Sequence, residues 1–94
     1  MSQGYINLDV AVETAIDVVF GETVIREFAE HENFVCDEPT VAEWMLHLKE
    51  TDTYTYHMWI PGVYRRAMDP RHAHQAIAAR INGMVEGIRN GEGY

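Results

Sequence analysis

The last third of the chain does most to limit the possible folds. Asp69-Pro70 places an amide-accepting side chain at a helix N-cap and a proline at the first helical position. Ala73, Ile77, Ile81, Met84, Val85 and Ile88 then recur at helical spacing to about Arg89. An apolar stripe this long is stable in water only if other elements cover it. This helix must therefore contribute its stripe to the core.

The upstream sequence supplies such elements. Leu8, Val12, Ala15, Ile16 and Val19 form an apolar stripe over about 8–20, with Asp9, Glu13 and Asp17 on the far side. Asn7 or Asp9 can cap that helix, and Gly21 suits a left-handed end position. A second helix is expected from Thr23 to His31, with Val24, Ile25, Phe28 and Ala29 inward. Phe34-Val35-Cys36 reads as a short apolar link. Thr40 and Glu43 have the spacing of a capping box, opening a third helix to about Lys49 that buries Val41, Trp44, Met45 and Leu48.

Residues 51–60 read differently. Threonine and aromatic side chains alternate with period two, which favours a strand, and Pro61-Gly62 reads as a turn. The expectation is a mainly α, single-domain bundle of about four helices with a short β-hairpin at 53–68. A loop or a short helix at 63–68 is the other reading of that return segment. The single domain spans 1–94, with tails at 1–6 and 91–94. Three helices followed by a hairpin is also the order of a winged-helix fold, the α+β alternative.

Ninety-four residues leave little room for a large substrate cavity beside a full core. The lone Cys36 excludes an internal disulfide and any cysteine-rich zinc site. No secretory leader or membrane span is legible, so a cytoplasmic location is the expectation. Glu27/His31 and Glu43/His47 each share a helical face, but neither completes a usual metal-ligand set. His72 and His74 lie two apart, a poor chelating spacing on a helix. No nucleophile elbow, phosphate loop or dinucleotide fingerprint is present. No catalytic residue, metal or cofactor is assigned, and a non-enzymatic role is expected.

Charge is unevenly placed. Residues 1–52 hold twelve acids and two cations, a balance of −10, whereas residues 53–94 hold five arginines and three acids. The net charge of −8 repels nucleic acid and favours basic partners. Two contact surfaces stand out. One is aromatic and basic: Tyr54, Tyr56, Trp59, Tyr64, Arg65 and Arg66, of types enriched at binding hot spots. The other is acidic: Glu27, Glu30, Glu32, Asp37 and Glu38. Ala76, Ala79, Gly83 and Gly87 line the last helix with small residues, where a homodimer or another internal helix can approach closely.

The resulting expectation is a small acidic protein–protein interaction module acting as a regulator or inhibitor. Such chains are common among accessory and phage-encoded proteins that act on a host protein. The alternative is a degenerate winged-helix regulator touching nucleic acid through Arg65, Arg66 and Arg71. Against it, the would-be reading helix shows Glu43, His47 and Glu50 where a DNA reader needs cations.

Overall fold

The computed structural model describes residues 7–91. Five helices follow in order: α1 (Leu8–Val19), α2 (Gly21–Glu30), α3 (Glu38–Thr51), α4 (Thr53–Ala67) and α5 (Pro70–Arg89). No strand occurs among the described residues. The mainly α class is as expected. Of the tails assigned to 1–6 and 91–94, only Gly91 lies within the described residues.

Local chemistry sets most boundaries. The Asn7 side chain accepts the amides of Asp9 and Val10 and starts α1. Gly21 joins α1 to α2 at φ +74°, a conformation easy only for glycine. Asp69 accepts the Arg71 amide, with Pro70 next, and opens α5 as expected.

Two expectations need correction. The capping box at Thr40 does not form. The N-cap is Asp37, whose carboxylate accepts both the amide and the hydroxyl of Thr40. A carboxylate three residues upstream serves the free amides and the helix dipole together, so α3 begins at Glu38 with Pro39 in its first turn.

The larger correction is the hairpin at 53–68, which is the helix α4. With it goes the winged-helix topology, since there is no wing. Asp52 caps α4 by accepting the Thr55 amide. Tyr56, Ile60, Val63, Tyr64 and Ala67 then fall on one helical face against the core. That burial outweighs the strand preference of the threonines and tyrosines. Pro61 sits inside the helix next to exposed surface, beyond exposed His57, whose carbonyl it leaves without an amide donor.

The core is a single cluster centred on Ile16, Ile25, Val41, Met45, Ile60, Val63, Ile77, Ile81 and Val85. α5 touches all four other helices. α1 and α4 pair closely on it, α3 packs across both α4 and α5, and α2 lies against α5 and α1, its backbone close to neither α3 nor α4. The described residues bury no polar or charged side chain completely.

Two residues of α5 hold the α2–α3 link in place. Asn82 accepts the Cys36 amide at 2.7 Å and donates to the Cys36 carbonyl at 3.0 Å. The Arg89 guanidinium donates to the carbonyls of Ala29, Phe28, Phe34 and His31. It thereby caps the end of α2, where helical carbonyls otherwise lack partners.

Candidate functional site

α4 decides which of the expected contact residues can meet a partner. Its inward face uses Tyr56 and Tyr64, which are half-buried against the core. Tyr54, Met58, Pro61 and Arg65 follow one another at spacings of four, three and four and form an outward ridge. Trp59 and Arg66, seven apart, lie along its flank. Tyr54 is 72% exposed, Met58 53% and Trp59 46%. The aromatic–basic segment is thus split. Tyr54, Trp59, Arg65 and Arg66 are outward, while Tyr56 and Tyr64 are structural. Met58 joins the surface, a residue that strand alternation does not flag and helical spacing does.

The inward tyrosines belong to a polar seam between α3, α4 and α5. The Tyr64 hydroxyl lies 3.3 Å from Met45 Sδ and 3.2 Å from His74 Nε2. Burial, then the neighbouring Tyr56, pushes the Tyr64 hydroxyl up to about 12. Burial lowers the pKa of His74 below the usual histidine value, against the opposing pull of Glu38. Gln75 Nε2 donates to Glu38 at 3.2 Å across the α3–α5 boundary.

The acidic surface also divides. Asp37 is committed to capping α3, which holds its carboxyl below the usual range through the Thr40 hydroxyl and amide. Glu38 is half-buried and bonded to Gln75. Glu27, Glu30 and Glu32 are exposed at the end of α2 and in the following turn. His31 adopts an extended conformation past the end of α2, so the expected Glu27/His31 helical pair is not formed.

On α5 the small residues face partly outward. Ala79 and Gly83 are exposed, Ala76 and Gly87 half-buried. Nothing lies within 4 Å of where a Gly83 side chain would begin, so no internal helix nests against it. The internal-partner account of that glycine is therefore wrong. The helix nevertheless continues unbroken to Arg89.

Glu43, Trp44 and His47 come together on one turn of α3. Among the described residues they line an open recess of about 270 Å³. The Trp44 ring packs on Phe20 at 5.7 Å and stands at 88° to the His47 ring, 6.2 Å away. Trp44 is half-buried rather than core, which its apolar spacing alone does not reveal.

No three His, Cys, Asp or Glu side chains gather as a metal site among the described residues. Cys36 is buried, and its thiol is pushed up to about 11 by that burial and then by Asp37, which opposes nucleophilic use. No described helix is long and apolar enough to cross a membrane. No protein-family model, curated protein or solved structure matches the chain.

Proposed function

We propose that this chain is a small protein-binding module that regulates or inhibits its partner by occupying it, without chemistry of its own. The supporting observation is the outer face of α4, where Tyr54, Met58 and Trp59 are all about half exposed or more within two turns. Scattered exposed apolar residues are ordinary, but Tyr54 and Met58 four apart on one face, with Trp59 on the adjoining flank, are of the residue types enriched in docking surfaces. The core uses none of these three side chains.

The partner class follows from the surroundings. Arg65 and Arg66 lie at the C-terminal end of α4 in a chain that is otherwise acidic. The occupant that fits is an amphipathic helix of another protein. Its apolar residues cover Tyr54, Met58 and Trp59, and a carboxylate meets Arg65.

The test is affinity capture from the native cell with three proteins: wild type, Tyr54→Ala/Met58→Ala/Trp59→Ala, and Arg65→Glu. The reading expects one stoichiometric partner on the wild type, none on the triple variant and a weakened, salt-insensitive remainder on Arg65→Glu. Circular dichroism should show the same helix content in all three. A partner retained equally by the triple variant removes α4 as the docking face.

A further inference from the structure

The recess on α3 has a chemistry that the α4 surface lacks. Among the described residues its lining comes from one helical turn: Glu43 and His47 four apart, with Trp44 between them. The Trp44 and His47 rings meet almost perpendicularly in a T-shaped contact, and both line the recess. Phe20 packs against the indole in a tilted ring contact. Glu43 adds a carboxylate to the same recess.

The indole and the carboxylate favour the same guest. The face of an indole attracts a cation through its quadrupole, and a weakly hydrated alkylated ammonium gives up its water most easily. The carboxylate adds charge complementarity at short range. At about 270 Å³ and open to solvent, the recess is below the usual range for drug-sized ligands and suits a head group. The balance of −10 over residues 1–52, the segment that carries the recess, raises the local concentration of cations.

We propose that the Glu43/Trp44/His47 recess binds an alkylated ammonium head group, of the trimethylammonium type. The inference is independent of the α4 docking face, which shares no residue with it.

The experiment titrates tetramethylammonium chloride into the full chain and follows the indole Nε1–H signals by NMR. Sodium chloride at equal ionic strength and the neutral isostere neopentyl alcohol serve as controls. Saturable shifts at Trp44 with tetramethylammonium alone are expected, with Trp59 unmoved. Glu43→Gln should weaken binding roughly fivefold, and His47→Ala should weaken it further. Both changed side chains are exposed, so these variants remain informative even if Trp44→Leu disturbs the contact with Phe20. The proposal is overturned by equal shifts with the neutral isostere, by shifts that never saturate, or by undiminished binding in Glu43→Gln. A trimethyllysine peptide that binds more tightly than the free ion assigns the head group to a protein side chain. Equal affinity assigns it to a free small molecule.

Discussion

At the residue scale, a few side chains carry more than their position in the sequence suggests. Cys36 and Tyr64 both hold their protons more tightly in the fold, at about 11 and about 12 against ordinary values of 9.0 and 10.0. A raised pKa in the folded state means that the unfolded chain releases the proton first as pH rises. Each group's contribution is thus complete below its unfolded pKa and is lost as pH climbs through the folded value. Stability should therefore fall from about pH 9 upward, with Cys36 acting first and Tyr64 from about pH 10. Urea unfolding midpoints taken through this range check the slope. Cys36→Ala should flatten its lower part and Tyr64→Phe its upper part. An unchanged slope in both variants would place the alkaline sensitivity elsewhere.

At the element scale, α4 shows a compromise at its end. Met68 closes the helix in the left-handed region, at φ +67°, and is 89% exposed. A side chain with a Cβ is strained there, whereas glycine is not. Met68→Gly should raise stability by about 1 kcal/mol, read as a higher urea midpoint at constant slope. A loss of stability would mean that Met68 makes a contact its exposure does not suggest. The same helix shows why the sequence was only partly legible. α1 and α5 announce themselves because Asn7, Asp69-Pro70 and their apolar stripes agree. In α4 the indicators conflict: period-two aromatics and Pro61-Gly62 argue against a helix, while the Asp52 cap and the Tyr56/Ile60/Val63/Ala67 spacing argue for it. Tertiary burial resolves the conflict, with Ile60 and Val63 fully enclosed. The contact surface inherits that misreading. Half of the aromatic segment turns inward once 53–68 winds into a helix, and Met58 turns outward. Asn82 and Arg89 could not be read at all, because their partners are backbone groups 46 to 61 residues away.

At the scale of the whole molecule, the uneven charge becomes an internal attraction. Two of the three arginines of α5 reach back to the acidic half: Arg80 pairs with Glu13 of α1, and Arg89 holds the carbonyl end of α2. The exposed Arg80–Glu13 pair is worth at most about 1 kcal/mol, so apolar contact with α5 must do most of the holding. α2 is the sensitive point, since its backbone comes close to neither α3 nor α4. It folds with the rest only because α5 and α1 carry it. Ile77 lies completely buried midway along α5, between the end that meets α3 and α4 and the end that Arg89 fixes to α2. Ile77→Ala should remove about 2–5 kcal/mol, by lost burial and an unfilled cavity. Because α5 packs against all four other helices, the loss should lower one transition for the whole chain. Far-ultraviolet dichroism and tryptophan fluorescence should therefore move together along the urea axis. Separated curves, with helix lost before the Trp44 and Trp59 environments change, would show that α2 unfolds on its own and that α5 does not unite the fold.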